Sequence, residues 1–316
     1  MRTVYFVGVT TAGSSIDSLF PRWMARLGVE ARIEGVDLPL GAPEGRYRDL
    51  LRRIADDPRV AGAVITAHKL GMYAAAHHLF DAMDRFVPLC REVSAIAKRD
   101  GQVVALARDA VAAGATLRTI LGAGYWSHHR ADVLCFGAGG AATAIALCLL
   151  SDPATISGDL RPASVLPRRI LFVDIDRGRL AALRRMAGAV NPRARVEYLY
   201  HPSAADKDAL LAGLPPGSLI INATGMGKER PGSPLTDRAA FPASAVVWDL
   251  NYRGALPFLR QARAQQERQV LRVNDGWLLF LHGWTQALSP ILGVDLTEAV
   301  FADRAEAQPP IAPGGA

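Results

Sequence analysis

The stretch Leu134-Cys135-Phe136-Gly137-Ala138-Gly139-Gly140-Ala141-Ala142 constrains this chain more than any other. A short apolar run enters a glycine turn, and a helical pattern from Thr143 to Leu150 leaves it. Gly137 allows the tight turn, Gly139 lets the backbone approach a pyrophosphate, and Ala142 is small enough for the helix to pack closely on the strand. Ala138, Gly140 and Ala141 complete the turn, and the free N–H groups of the helix start would face the phosphates at the positive end of its dipole. With 29 glycines in the chain, the pattern alone is weak; its strand-turn-helix setting gives it weight. It also falls mid-chain, so a whole domain of about 110 residues can precede it and is expected to carry the substrate.

At 316 residues the length fits two domains, each with its own core. Half the residues are hydrophobic and 21% are charged, an ordinary globular composition. No apolar run approaches the roughly 18 residues that span a bilayer, and Met1 to Val7 reads as a β-strand rather than a signal peptide. Three scattered cysteines, Cys90, Cys135 and Cys148, make neither a disulfide framework nor a metal site. The pairs His77-His78 and His128-His129 lack supporting ligand spacing. A cytoplasmic protein without metal or membrane partners is expected. The net charge of +6 comes from arginines spread along the chain (Arg22, Arg52, Arg108, Arg130, Arg179, Arg263) rather than from a basic run interleaved with aromatics. That pattern points away from nucleic acid and at most favours an anionic small molecule.

Hydrophobic periodicity places strands at Val4 to Val9, Val29 to Leu38 and Val60 to Thr66. Helices are expected from Ile16 to Leu27, Tyr47 to Ile54 and about Leu70 to Leu79. Two β-like runs between Val93 and Ala107 flank Arg99-Asp100-Gly101, a hairpin turn. Asp109 opens a helix from Ala110 to Leu121. From Asp132 the pattern becomes regular βαβ, with strands at Asp132 to Phe136, Arg169 to Asp174, Val196 to Tyr200, Ser218 to Ala223, Ala245 to Asp249 and Val270 to Val273. The fold class is therefore α/β: a Rossmann-type doubly wound parallel sheet domain plus a separate α/β substrate domain. Ser151 to Arg168 reads as an inserted loop, and the Pro/Gly-rich end as a disordered tail. The domain expectation is a substrate domain at 1–109 and 275–305, a dinucleotide domain at 110–274 and a tail at 306–316.

Strand Arg169 to Val173 ends in Asp174, followed by Ile175 and Asp176. A carboxylate there hydrogen-bonds the adenosine ribose and repels a 2′-phosphate, which predicts NAD rather than NADP. Arg177 could pair with a phosphate, but reads better as the first turn of a solvated helix.

Seven segments in order resemble the shikimate/quinate dehydrogenase family over nearly the whole chain. Ser18-Leu19-Phe20-Pro21 resembles its Ser-Leu-Ser-Pro loop, with Phe20 in place of the second serine. Val64-Ile65-Thr66-Ala67-His68-Lys69 resembles Asn-Val-Thr-x-Pro-x-Lys, one residue shorter and without the proline. Ala107-Arg108-Asp109 resembles Asn-Thr-Asp, and Gly137 to Ala142 fits the glycine loop. Asn222-Ala223-Thr224-Gly225-Met226 resembles Asn-Ala-Thr-Pro-x-Gly-Met, and Asp249-Leu250-Asn251-Tyr252 resembles Asp-x-x-Tyr. Gly276 to Gly283 resembles Gly-x-x-Met-Leu-x-x-Gln, with Gly283 at the glutamine position and His282 beside it.

The resemblance implies a catalytic pair, Lys69 and Asp109, facing a substrate in an interdomain cleft and moving a proton during hydride transfer. It also implies cofactor contacts from Asn222, Ala223, Thr224, Met226 and Gly276, and substrate contacts from Ser18, Phe20, Thr66, Tyr252 and His282. NADP-preferring relatives carry Asn-Arg-Thr where this chain has Asp174-Ile175-Asp176. The family's Gly-Ala-Val-Asn-Thr segment aligns with Ser94 to Lys98, so its substrate-binding asparagine is absent. A site that loses such hydrogen-bonding groups changes substrate rather than merely loosening. The expectation is a small cyclic hydroxy compound other than shikimate itself, turned over by a monomer or homodimer. The alternatives are a methylene-tetrahydrofolate dehydrogenase-like enzyme and a non-catalytic NAD(P)-binding sensor.

Overall fold

The computed structural model describes residues 1–152, 161–228 and 230–301. Part of the loop expected from Ser151 to Arg168 and the tail expected at 306–316 lie outside these residues. The chain divides into two compact units, one built from Met1–Ala112 with the segment from Leu281 onward, the other from Ala113–Phe280.

The first unit holds a six-stranded sheet. Its strands are β1 (Arg2–Gly8), β2 (Ala31–Asp37), β3 (Val60–Ile65), β4 (Ala82–Met83), β5 (Ala95–Arg99) and β6 (Gln102–Leu106), in the spatial order β2-β1-β3-β5-β6-β4. β1, β2 and β3 run parallel, with α1 (Ser15–Leu27) and α2 (Glu44–Asp56) as crossovers. β5 then pairs antiparallel with both β3 and β6. The β5–β6 turn has positive φ at both central residues, Asp100 (51°) and Gly101 (78°). Those angles match the right-handed twist of a hairpin and are available to Asp and Gly at little cost. Two short elements escape hydrophobic periodicity: the two-residue β4 and the one-turn helix α4 (Phe86–Cys90). Neither is long enough to show a period.

After α5 (Asp109–Leu121) and the short α6 (Tyr125–His128), the second unit builds another six-stranded sheet. Its strands are β7 (Val133–Phe136), β8 (Ile170–Asp174), β9 (Val196–Tyr200), β10 (Leu219–Asn222), β11 (Val246–Asp249) and β12 (Arg272–Asn274). All pairs are parallel, in the order β12-β11-β10-β7-β8-β9. This is the doubly wound order, with the reversal of direction between β7 and β10. The crossovers include α7 (Gly140–Leu150), α8 (Arg177–Val190), α9 (Ala204–Ala212) and α10 (Pro257–Arg263). Every residue of β7, β8, β10 and β11 is buried, as a parallel sheet covered on both faces requires. α11 (Gln266–Gln269) precedes β12; α12 (Trp277–Leu292) and α13 (Thr297–Phe301) end the described chain.

A buried charge fixes the entry end of this sheet. Asp132, wholly inaccessible, accepts two bonds from Arg168 (Nε to Oδ1 and Nη2 to Oδ2, both 2.7 Å) and one from Arg169 Nε at 2.7 Å. Burial works against ionisation, but the two guanidiniums outweigh it and hold the carboxyl below the usual range. The clamp lies at the ends of β7 and β8 away from the glycine turn, so it contributes to stability alone. Asp132→Ala is expected to lower unfolding free energy in urea by about 3 kcal/mol, the low side of the range for breaking a buried pair because both arginines reach solvent.

Candidate active site

In the first unit, the ends of two strands deliver the expected pair. Lys69 opens α3 (Lys69–Ala76) just after β3, and Asp109 opens α5 just after β6. The Lys69 ammonium donates to Asp109 Oδ2, and both side chains are about a quarter exposed. Burial opposes the Lys69 charge, but Asp109 and then Glu92 outweigh it and raise its pKa above the ordinary lysine value. Lys69 is therefore a stable ammonium at neutral pH and still touches solvent, the state needed to donate a proton to a carbonyl oxygen.

The backbone around the pair is tightly held. His68 is buried; its Nε2 faces the Leu38 carbonyl at 2.9 Å, which makes that nitrogen the N–H donor. Nδ1 then accepts from the Tyr47 hydroxyl at 3.0 Å. Gly71 gives that phenol room, since a Cβ there would lie 2.7 Å from its oxygen. This buried pair supports the turn into α3, where the family pattern has a proline. On the Asp109 side, Ser94 Oγ accepts from the Arg108 N–H at 2.7 Å. Asp84 accepts from the backbones of Phe86, Val87 and Ala107 and from the Arg108 guanidinium.

Glu92 was not marked by any sequence motif. It is 1% exposed, its Oε1 has no hydrogen-bond partner, and Val93 beside it donates its N–H to the Lys69 carbonyl at 3.1 Å. Burial first, then the Asp109 charge, push its carboxyl up to about 8, while Lys69 pulls the other way. The available signal was a lone acid three residues before the apolar start of β5.

The expected substrate residues are less concentrated. Thr66, exposed at the end of β3, donates its hydroxyl to the Val7 carbonyl at 3.0 Å. Ser18, exposed within α1, donates to the Ser15 carbonyl at 3.1 Å. Phe20 is only 1% exposed, on the buried face of α1, so its contribution to a pocket would come through packing. His282 lies in α12 with its ring 4.6 Å from that of Phe301. Tyr252, in the second unit, joins an aromatic cluster with Trp277 (5.3 Å) and Phe280 (5.0 Å).

The second unit's strand exits fit a dinucleotide. At the β7/β10 switch point, Gly137 has φ +105° and its absent Cβ would stand 2.7 Å from the Ala223 carbonyl oxygen. Only glycine allows the turn after β7 and the loop after β10 to touch there. No side chain caps α7 at Gly139, and its first turn carries no acid, so its N-terminal N–H groups remain available to phosphates. Gly140 and Ala141 begin that helix, and Ala142 is fully buried.

Asp174 stands at the end of β8, as the sequence places it, and also holds the glycine turn. It is buried, accepting from the Ala138 N–H in the glycine turn at 2.6 Å and from the Asp176 N–H at 2.9 Å. A carboxylate has about four lone-pair sites, so acceptor capacity is left for a ribose hydroxyl. Asp176 caps α8, accepting from the N–H groups of Gly178 and Arg179. Arg177 is more than a solvated first-turn residue: its guanidinium stacks on the Tyr200 ring at 3.9 Å. Asp176, Arg177 and Tyr200, with Arg179 and Arg230, line a recess of about 510 Å³ beyond β8.

Beyond β10 and β11, one carboxylate organises the remaining cofactor candidates. Asp249 Oδ1 accepts from Asn222 Nδ2 (3.1 Å), Asn251 Nδ2 (2.9 Å) and the Asn251 N–H (2.9 Å). Asn222 Oδ1 accepts in turn from the Thr224 hydroxyl (2.7 Å) and N–H (3.2 Å). The Met226 carbonyl takes bonds from both asparagines. Gly276 packs onto the same strand exit, where a Cβ would fall 2.0 Å from the Leu250 oxygen. The residues Asn222, Ala223, Thr224, Met226 and Gly276 are thus gathered around the exits of β10 and β11.

No family model matches the chain. A shikimate dehydrogenase (NADP(+)) from Methylobacterium radiotolerans is 26% identical over 282 residues, covering 88% of this chain and 86% of the relative. Solved structures agree in fold. Quinate dehydrogenase from Corynebacterium glutamicum in complex with NAD superposes with a TM-score of 0.70 at 18% identity, over 95% of this chain and 97% of that one. The Thermus thermophilus shikimate 5-dehydrogenase in complex with NADP(H) and shikimate gives 0.68 at 23% identity, over 96% and 99%. The chain is thus similar in sequence to a shikimate dehydrogenase and shares the fold of shikimate and quinate dehydrogenases. The likeness favours neither the tetrahydrofolate-type alternative nor the sensor. Among the described residues no helix is long and apolar enough to cross a membrane.

The Asp249 network carries a pH signature. Burial pushes this carboxyl up to about 7, against the three bonds it accepts, and Asp275 adds to the rise. The folded state then holds a proton that the unfolded chain releases near pH 4, so stability is greatest at acidic pH and falls as the pH rises through 7. The urea midpoint is expected to drop between pH 5 and pH 8, and Asp249→Asn, which has no proton to lose, to flatten that slope.

Proposed function

We propose that this protein is an NAD-linked dehydrogenase of the shikimate/quinate type, interconverting a small cyclic hydroxy compound and its ketone. The contact between the Lys69 ammonium and the Asp109 carboxylate carries this reading. In the assigned division of labour, residues 1–109 and 275–305 hold the substrate and 110–274 the dinucleotide. A bound nicotinamide supplies a hydride acceptor for the carbinol C–H. The protein's own task is the second half of the balance: the hydroxyl proton leaves to the Lys69–Asp109 pair during oxidation, and the ammonium returns it during reduction. Lys69 is held charged by its neighbours, so the pair is poised as an acid at neutral pH. Reduction is then favoured at neutral pH, and oxidation rises as the pH becomes alkaline.

The preferred substrate is read as quinate- or shikimate-like but not shikimate itself, because Phe20 and Ser94 to Lys98 replace hydrogen-bonding groups of the family pattern. Asp174 and the half-exposed Asp176 support NAD, since a 2′-phosphate would approach two carboxylates at the end of β8. A second reading, NADP, has its own observation in Arg177, Arg179 and Arg230 around the recess. Three buried, unpaired cysteines fit a reducing compartment such as the cytoplasm.

The test is reduction of NAD and NADP in the presence of quinate, shikimate and related cyclic hydroxy acids. Turnover is expected with at least one of them, and Lys69→Ala is expected to lower kcat by about 10²–10⁴-fold while leaving dinucleotide binding intact. Tight dinucleotide binding with no turnover, or an unchanged kcat in Lys69→Ala, would establish the sensor instead. For the cofactor, kcat/KM should favour NAD by about tenfold or more, a difference of about 1.4 kcal/mol. A preference for NADP that disappears in Arg230→Ala would decide for the second reading.

A further inference from the structure

Among the described residues, the proton-handling pair sits in a group whose charges do not balance. Asp84, Glu92 and Asp109 are the carboxyl groups; Lys69 and Arg108 are the cations. Arg108 bonds Asp84, and Lys69 bonds Asp109. The remaining acid, Glu92, is the most deeply buried of the three, and its Oε1 finds no donor. The Cys90 thiol, also facing the group, has its pKa raised well above the usual thiol value by burial and then by the same carboxylates, so it stays uncharged.

A buried carboxylate without a donor is costly, and protonation removes most of that cost. Glu92 also cannot reach substrate, because its carboxyl is enclosed. It acts on Lys69 through space, and the bond from the adjacent Val93 N–H to the Lys69 carbonyl ties its stretch of backbone to the start of α3.

We propose that Glu92 is a positioning residue for the proton-transfer pair, a buried carboxyl that by keeping or losing its own proton sets how firmly Lys69 holds its ammonium proton. While Glu92 is neutral, Lys69 faces a single counter-ion, Asp109. Once Glu92 ionises, two anions hold the ammonium and Lys69 becomes a weaker acid. This adds an internal control to the proton step and rests on the dehydrogenase reading for its catalytic consequence alone.

Two measurements test it. Protein labelled with ¹³C at the glutamate carboxyl should show one resonance, absent from Glu92→Gln, that titrates near pH 8 rather than in the ordinary glutamate range. In Lys69→Met that midpoint should move higher still, because the cation that favours ionised Glu92 is gone. In the second measurement, the alkaline limb of substrate oxidation should move down by about one pH unit in Glu92→Gln, with the KM for the dinucleotide unchanged. A Glu92 midpoint in the ordinary glutamate range, its indifference to Lys69→Met, or superimposable pH limbs would overturn the proposal. If no substrate is turned over, the dehydrogenase reading fails and the carboxyl titrations still decide the coupling. Should Glu92→Gln not fold, the high-titrating resonance in wild type and its response to Lys69→Met serve the same purpose.

Discussion

The register of one strand brings the candidate chemistry together. β5 lies between β3 and β6 and runs against both, so β3 and β6 point the same way and their exits emerge on the same side of the sheet. At the entry to β5, Ser94 bridges the two: its carbonyl accepts from the Ile65 N–H at 2.9 Å, and its N–H donates to the Leu106 carbonyl at 2.9 Å. Two strand spacings separate β3 from β6, about 10 Å. A lysine and an aspartate reaching toward each other span the gap. A one-residue slip of β5 would turn its side chains to the opposite face and separate the helices that Lys69 and Asp109 begin.

That geometry also sets the electrostatics. Asp84 tolerates burial because four donors converge on it, and Asp109 because it meets an ammonium and some solvent. Glu92 has neither advantage. The difference between these acids lies in local hydrogen bonding, which residue type alone does not reveal. The same contrast recurs in the second unit, where Asp249 Oδ1 receives three bonds and buried Oδ2 receives none.

The sequence was most legible where backbone geometry leaves few choices. Gly137 must be glycine because another loop touches it, so the turn after β7 could be read directly. The β5–β6 hairpin was legible because Asp100-Gly101 supplies two positive φ angles in succession. Lys69 and Asp109 could be picked out by motif, although nothing local says that residues forty positions apart meet. Glu92, Tyr47 and His68 were invisible because their importance comes from three-dimensional neighbours: a lone acid, a helix-face tyrosine and a histidine beside a lysine look ordinary in a string. The two-residue β4 had too few residues to show alternation. Asp174 was located correctly as the last residue of its strand, but its bond to Ala138 depends on how closely the glycine turn folds back, a tertiary matter.

That bond has a consequence for redesign. Because Asp174 fastens the glycine turn as well as standing at the end of β8, replacing it would loosen that turn, and on the proposed reading the phosphate site with it. Asp176, Arg177 and Arg230 carry no such double duty toward the turn. On the proposed reading, substitutions in that outer trio would alter the nucleotide's surroundings while the inner carboxylate keeps the turn in place.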